Sequence, residues 1–189
     1  MVLIIKHLLI DSAMMQYRKT PRAEWLAYNE GMYFITICTH NRIPYFGYIR
    51  DGVMNLSEIG VILDNELRNP QCHHSHIEIP LYTVMPNHLH AIVVVNTPSV
   101  CPMVLPETSD ERRVLVGREC GQRTLPLLSA YIGSLKSAVT RLGRVRCPAF
   151  KWQQRYYDHA IRGTDDCNKI IDYIENNVMK WEQDSLYSE

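Results

Sequence analysis

The stretch that decides the fold is Val84-Met85-Pro86-Asn87-His88-Leu89-His90, which continues as Ala91-Ile92-Val93-Val94-Val95. The run after Leu89 is apolar and β-branched, which predicts a buried strand. Because successive side chains of a strand point to opposite faces, His88 and His90 should share one face. Two imidazoles on one strand face can form half of a divalent metal site. Two ordinary histidines at the start of a strand would give the same pattern, so the interpretation depends on the rest of the chain.

Length and composition favour one domain with extensions. The chain has 189 residues, of which 46% are hydrophobic, enough for a substantial core. We predict an N-terminal extension at 1–24, one domain at 25–182 with a loop or insertion at 97–124, and a tail at 183–189. No stretch reaches the length of a membrane-spanning helix, residues 1–10 do not match the pattern of a secretory signal, and no Cys-x-x-Cys pair occurs. We therefore expect reduced cysteines, no membrane contact and a cytoplasmic location.

The charge is unevenly distributed, although the formal net charge is zero. No Asp or Glu occurs between Cys120 and Tyr157, and this acid-free stretch contains Arg123, Lys136, Arg141, Arg144, Arg146, Lys151 and Arg155. Such a stretch is typical of a phosphate-binding surface, and equally of a solvated basic face.

The hydrophobic periodicity predicts the order β–hairpin–α–β–β–α–β–α. The predicted elements are a strand at 33–39, a hairpin turning at Asp51-Gly52, a helix from Ser57 to about Arg68, strands at 77–84 and from His88, a helix at 125–142 ended by Gly143, a strand at 152–161, and a helix from Thr164 to about Met179. A β-α-β-β-α-β core is typical of the α+β, ferredoxin-like class, which has an antiparallel sheet with helices on one face.

A third metal ligand can come from the last predicted helix. Tyr173 and Asn177 are four residues apart, so they should project from the same helix face. Tyr173 lies beside the apolar stripe of this helix, and a half-buried core tyrosine would fit that position as well.

Five segments in a fixed order resemble those of a known family. They are Tyr33-Phe34-Ile35-Thr36-Ile37-Cys38-Thr39, Val84-Met85-Pro86-Asn87-His88-Leu89-His90-Ala91-Ile92, Ser134-Leu135-Lys136-Ser137-Ala138-Val139-Thr140, Trp152-Gln153-Gln154-Arg155-Tyr156-Tyr157-Asp158-His159-Ala160-Ile161-Arg162 and Tyr173-Ile174-Glu175-Asn176-Asn177. The chain resembles the single-tyrosine HUH transposases, especially their REP-associated tyrosine transposase branch, over roughly residues 17–182.

The resemblance implies the HUH endonuclease fold and a metal-dependent endonuclease and strand transferase. Such enzymes cut single-stranded, hairpin-flanked DNA and carry it as a 5′-phosphotyrosine. By motif match, Tyr173 is the nucleophile, and His88, His90 and Asn177 hold Mg²⁺ or Mn²⁺. Many members have a proline shortly after this tyrosine, where this chain has Val178, so the last helix is expected to continue toward Trp181.

The expected partner is single-stranded or hairpin DNA, in a bacterial cytoplasm near the nucleoid, and a homodimer is one assembly known in the family. The candidate DNA-binding residues are Lys136, Arg141, Arg144, Arg146, Lys151, Arg155, Tyr156, Tyr157 and Arg162. Two alternatives remain open at this point. A cupin-like metal oxygenase or hydrolase would also use His-x-His but predicts an all-β chain, and a non-catalytic relative would bind hairpin DNA without cutting it.

Overall fold

The computed structural model describes residues 30–96 and 126–187. The predicted extension at 1–24 and the predicted loop or insertion at 97–124 lie outside the described residues. The elements are β1 (Gly31–Cys38), β2 (Gly47–Arg50), β3 (Val53–Leu56), α1 (Glu58–Arg68), β4 (Ile77–Val84), β5 (His88–Val95), α2 (Leu127–Arg146), β6 (Tyr157–Ala160) and α3 (Thr164–Asn176). Within the described ranges, no helix combines the length and the apolar character needed to cross a membrane.

Four strands form an antiparallel sheet in the order β4-β5-β1-β6. With α1 between β1 and β4, and α2 between β5 and β6, this is the predicted ferredoxin-like, α+β arrangement. The predicted hairpin forms a separate two-stranded sheet, β2-β3. Asp51 and Gly52 at its tip have positive φ angles of 53° and 72°, as a two-residue Asp-Gly turn requires.

Helices cover both faces of the four-stranded sheet. The predicted layer on one face consists of α1 and α2, which pack over the side chains of Leu89, Ala91 and Val93 on β5. The opposite face carries α3, whose Ile171 and Ile174 pack against Ile92. Because side chains alternate along β5, the α3 face is also the face of His88 and His90.

Helix α2 continues past the predicted stop at Gly143 and ends at Arg146, so Arg144 and Arg146 are helical. Gly143 is buried inside the helix, where an added Cβ would lie 3.4 Å from carbon atoms of both Ile59 and Phe150. The glycine therefore lies inside the helix and does not cap it.

The strand predicted at 152–161 is shorter than expected, since only Tyr157–Ala160 joins the ladder. Trp152 forms an isolated bridge with Thr39. The carbonyl oxygens of Gln153 and Gln154 instead accept hydrogen bonds from Lys136 Nζ, at 2.8 and 3.4 Å. The Gln153 backbone N–H still donates to the carbonyl oxygen of Cys38 at 2.9 Å, so this segment stays beside the end of β1 without joining the ladder.

The last helix is also shorter than predicted. It begins at Thr164 as predicted, but α3 ends at Asn176. The chain then continues as a 3₁₀ segment, Val178–Gln183, which buries Trp181. The expected continuation toward Trp181 thus exists, but with tighter 3₁₀ winding that turns the following residues back toward the sheet.

Candidate active site

The first two residues on one face of β5 form the centre of the site. His88 and His90 are 0% and 2% exposed, and their Nε2 atoms lie 3.0 Å apart. The 3₁₀ segment covers the pair from one side, with the Trp181 ring 5.9 Å from the His88 ring. The two imidazoles are therefore held together in a largely dry environment.

Hydrogen bonds orient both imidazoles. Asn87 Nδ2 donates to the carbonyl oxygen of Leu186 at 2.9 Å, which turns Asn87 Oδ1 toward His88 Nδ1 at 2.7 Å. Because Oδ1 can only accept, His88 Nδ1 carries the proton and Nε2 keeps its lone pair. His90 Nδ1 lies 2.8 Å from Thr36 Oγ1. Partners on the outer nitrogen are typical of metal-binding histidines.

Burial keeps the pair uncharged. It lowers the pKa of His90 to about 4, partly opposed by the nearby charge of Asp184. Burial also lowers the pKa of His88, and the neighbouring His90 lowers it further. Both imidazoles are therefore neutral at pH 7, which is the form that binds a metal ion.

The lowered pKa values predict that the metal-free protein loses stability in acid. The unfolded histidines have ordinary pKa values near 6.5, so below that pH the unfolded chain binds protons that the folded chain does not. The free energy of unfolding should fall by up to about 1.4 kcal/mol per pH unit for each histidine, from pH 6.5 to about pH 4. Urea unfolding in EDTA at several pH values measures this slope.

A variant with both His88→Gln and His90→Gln is the control for this prediction, because it removes these two groups and leaves every other titrating residue. The slope of the wild-type protein should exceed that of the double variant. Equal slopes would show that the buried histidines bind protons in the folded state.

Helix α3 brings Tyr173 and Asn177 to the histidines. The Tyr173 hydroxyl lies 3.2 Å from His90 Nε2. Asn177, the residue after α3, is 3% exposed. Its side-chain Nδ2 donates to Asp184 Oδ2 at 2.9 Å, while its Oδ1 is buried without a hydrogen-bond partner among the described residues. The predicted spacing of four residues therefore does place both side chains on the face that meets the sheet.

The Tyr173 phenol is protonated at neutral pH. Burial and the negative charge of Asp184 raise its pKa to about 12. Its hydroxyl donates to Asp184 Oδ2 at 3.4 Å, so a carboxylate already lies where the proton would leave. The side chain is nevertheless 44% exposed, which leaves room for a substrate beside the oxygen.

The sequence did not reveal Asp184, which lies in the segment predicted to be a tail. One carboxylate oxygen and one ring nitrogen from each of His88 and His90 lie within 4.8 Å of one another. Burial opposes ionisation of Asp184, but hydrogen bonds from the Leu186 backbone N–H and from Asn177 outweigh this effect and hold its pKa below the usual range. Only the turn after α3 brings this residue to the site, and no local pattern encodes that contact.

The candidate-site tyrosines Tyr156, Tyr157 and Tyr173 occupy different positions. Phe34 stacks on His90 with ring centroids 5.3 Å apart, and its ring meets Tyr173 at 6.0 Å and Tyr157 at 6.4 Å. Tyr156 packs against the core on the α1–α2 side, and its hydroxyl lies 3.0 Å from Ser129 Oγ. Among these three, Tyr173 is thus the tyrosine whose hydroxyl contacts a histidine. Tyr157 contacts Phe34, which in turn stacks on His90.

Three of the predicted basic residues line one groove. Lys136, Arg141 and Arg144 line a groove of about 430 Å³ along α2, together with Ser137 and Thr140. Lys136 is half-buried and bonded to backbone carbonyls. The remaining predicted cations lie elsewhere on the surface and are exposed: Arg146, Lys151, Arg155 and Arg162.

The residues present fit a divalent metal ion. The His88, His90 and Asp184 group supplies two neutral imidazole nitrogens and a carboxylate. The buried Asn177 Oδ1 adds a carbonyl-type oxygen whose hydrogen-bonding capacity is unused among the described residues. Two nitrogens with two hard oxygens form a mixed donor set suited to several divalent ions.

Two proteins from Haemophilus influenzae are similar to this chain in sequence. No family model matches the chain. An uncharacterized protein from Haemophilus influenzae is 31% identical over 178 residues, which cover 93% of this chain and 96% of that protein. A putative REP-associated tyrosine transposase from the same organism is 26% identical over 164 residues, which cover 79% of this chain and 71% of that protein.

Among solved structures, the REP-associated tyrosine transposase bound to a REP hairpin matches with a TM-score of 0.53 and 21% identity, over 87% of this chain and 73% of that chain. This match supports the ferredoxin-like fold. The chain thus belongs to one family with the uncharacterized H. influenzae protein of 31% identity, and it resembles the single-tyrosine HUH transposases of the REP-associated branch in its motifs, its sequence and its fold.

Proposed function

We propose that this chain is a metal-dependent single-stranded DNA endonuclease and strand transferase that acts on hairpin-flanked DNA through a 5′-phosphotyrosine. The observation that carries the proposal is the position of the Tyr173 hydroxyl, 3.2 Å from His90 Nε2 and beside a buried group of metal-binding side chains. A tyrosine in a purely structural role would not need a neutral histidine pair and a carboxylate at its oxygen.

The proposed metal ligands are His88, His90 and Asn177, with Asp184 beside them, and the proposed ion is Mg²⁺ or Mn²⁺. The neutral histidines and the oxygen of Asn177 leave coordination positions for phosphate and water, unlike a closed structural zinc site. When bound, the ion would polarise the scissile phosphate and orient the departing 3′ oxygen. Asn87 and Thr36 would keep both imidazoles aimed at it.

In the proposed reaction, Tyr173 Oη attacks the scissile phosphorus, and the bond from phosphorus to the 3′ oxygen breaks. The phenolic proton passes to Asp184 Oδ2, which lies 3.4 Å away, and then to solvent. The departing 3′ oxygen takes a proton from solvent and leaves as a 3′-OH. The new Oη–P ester retains the energy of the broken bond, so a second 3′-OH can rejoin the strand without ATP.

DNA would bind through the exposed predicted contacts, which are Arg141, Arg144, Arg146, Lys151, Arg155, Tyr157 and Arg162, together with the half-buried Lys136. Cations neutralise the phosphates, and exposed aromatic rings stack on unpaired bases. We omit Tyr156 from this surface because its hydroxyl pairs with Ser129 and its ring packs against the core. The homodimer stays a prediction.

Incubation with labelled hairpin DNA and Mn²⁺, followed by a denaturing gel, tests the proposal. Since the target sequence is not known, the probe is a pool of hairpins whose flanking single strands are randomised. A labelled band at the mass of protein plus DNA, absent in EDTA, is the expected result. Hairpin binding without any adduct or cleavage would instead support the non-catalytic alternative.

The affinity for hairpin DNA with single-stranded flanks should fall as the salt concentration rises. If about six phosphates are neutralised, the log–log slope on a single strand is about −4. Removing two exposed cations with Arg141→Gln and Lys151→Gln should reduce the magnitude of the slope by about 1.4. Fluorescence anisotropy over a range of KCl concentrations measures both slopes.

Arg50→Gln provides the matched control, because Arg50 is exposed on the separate β2-β3 hairpin. It should leave the salt slope unchanged. A wild-type slope near zero would contradict a role for the acid-free stretch in DNA binding.

A further inference from the structure

The outer strand β6 presents two side chains beside the candidate active site. Among the described strands β6 pairs only with β1, so its other side is open. Tyr157 lies opposite Thr36 in the register and His159 lies opposite Phe34. Because the side chains of Thr36 and Phe34 both contact His90, Tyr157 and His159 face the same side of the sheet as the histidine pair.

Tyr157 offers an exposed aromatic ring close to the nucleophile. It is 59% exposed and does not belong to either hydrophobic core. Its ring meets the edge of Phe34 at 6.4 Å, and Phe34 meets Tyr173 at 6.0 Å. The exposed Tyr157 ring and the Tyr173 ring thus contact the same aromatic side chain, Phe34.

His159 is held in a fixed orientation. Its Nε2 contacts both carboxylate oxygens of Asp166, at 2.9 and 3.2 Å. Asp166 is itself fixed by the backbone N–H of Arg162 at 2.9 Å. Because Asp166 accepts from Nε2–H, the neutral ring keeps its lone pair on Nδ1, which makes no hydrogen bond among the described residues. The His159 side chain is 42% exposed, so Nδ1 can accept from a ligand.

We propose that Tyr157 and His159 form a subsite for the unpaired nucleobase next to the scissile phosphate. Tyr157 stacks on the base, and His159 Nδ1 accepts from an exocyclic amino group of that base. The two side chains stand roughly 7 Å apart along the strand, a span that one base can bridge. The inference rests on the proposed function and adds to it a site for base selection.

An abasic scan tests the stacking. After the cleaved position is found, each flanking nucleotide is replaced in turn by an abasic residue, and kcat/KM is measured for wild type, Tyr157→Leu and Tyr157→Phe. Loss of one stacked base corresponds to roughly a 5- to 150-fold decrease in kcat/KM. We expect Tyr157→Leu to show a loss in this range and Tyr157→Phe, which keeps the ring, to stay within about threefold of wild type.

Coupling identifies the base that is bound. At one position within two nucleotides of the cut, the abasic residue should lower kcat/KM of the wild-type protein by the same factor as Tyr157→Leu lowers it on intact DNA. The same abasic residue should lower kcat/KM of the Tyr157→Leu variant by less than about threefold. Tyr48→Leu is the control, since Tyr48 is a similarly exposed tyrosine on the separate β2-β3 hairpin. His159→Leu should flatten the preference among the four bases at the coupled position.

The outcomes separate the two proposals. No cleavage by the wild-type protein would contradict the proposed function itself. Wild-type cleavage with an unaffected Tyr157→Leu, or with independent abasic effects at every position, would overturn the subsite alone. An inactive Tyr157→Phe would also overturn it, because the hydroxyl rather than the ring would then be required. Unchanged Mn²⁺ affinity of Tyr157→Leu, measured by calorimetry, shows that the metal-binding group is intact.

Discussion

Tyr173→Phe is expected to abolish the covalent adduct and to reduce cleavage by about 10⁴-fold or more, the scale observed when a nucleophile is removed from an enzyme. The change removes one oxygen atom. The phenyl ring keeps its contacts with Phe34 and His90, so the protein should fold and bind hairpin DNA within about twofold of wild type. Single-turnover cleavage of labelled hairpin DNA with Mn²⁺ measures the loss.

Tyr157→Phe is the matched control for this result, because Tyr157 is the other tyrosine that contacts Phe34. It should cleave at nearly the wild-type rate. If Tyr173→Phe cleaved normally and Tyr157→Phe did not, the nucleophile would be Tyr157 and our assignment would be wrong.

His88→Ala and His90→Ala are each expected to abolish Mn²⁺-dependent cleavage and to weaken Mn²⁺ binding by more than about 100-fold. Loss of a partner that merely orients a ligand typically costs 10- to 100-fold, and loss of a ligand costs more. Calorimetric titration with Mn²⁺ measures the affinity. Hairpin binding in EDTA should survive in both variants, which separates loss of metal from loss of fold.

Two further variants should show an intermediate loss of Mn²⁺ affinity and no loss. Asn87→Ala removes the acceptor that fixes the tautomer of His88, so it should lose 10- to 100-fold in Mn²⁺ affinity. His74→Ala, in the loop before β4, should match wild type. Cleavage by either His88→Ala or His90→Ala at saturating Mn²⁺ would contradict the proposed metal site.

The parts of the site that the sequence predicted depend on short periodicities. Alternation along β5 is sufficient to place His88 and His90 on one face, and a spacing of four is sufficient to bring Tyr173 and Asn177 to one side of α3. The strong apolar runs and the Asp-Gly turn likewise predicted the order of the elements, because each is a local signal. The ferredoxin-like sheet follows from that order.

The parts that were missed depend on packing between distant segments. Asp184 reaches the histidines because the 3₁₀ segment buries Trp181 against His88, and no repeat in the sequence reports that contact. Gly143 was predicted to end the helix, but α2 continues to Arg146 and the glycine is buried against Ile59 and Phe150. The shortened β6 likewise goes with long-range contacts, since Lys136, 17 residues before Gln153, donates to the carbonyls of Gln153 and Gln154.

Peptide mapping of the trapped DNA adduct tests the central claim most directly. The protein is incubated with hairpin DNA and Mn²⁺, digested with nuclease and protease, and the peptide that carries a nucleotide is sequenced by mass spectrometry. The account predicts a phosphodiester on Tyr173, joined to the 5′ end of the cleaved strand. A nucleotide on the peptide containing Tyr156 and Tyr157, or DNA cut with no protein-bound product, would contradict it.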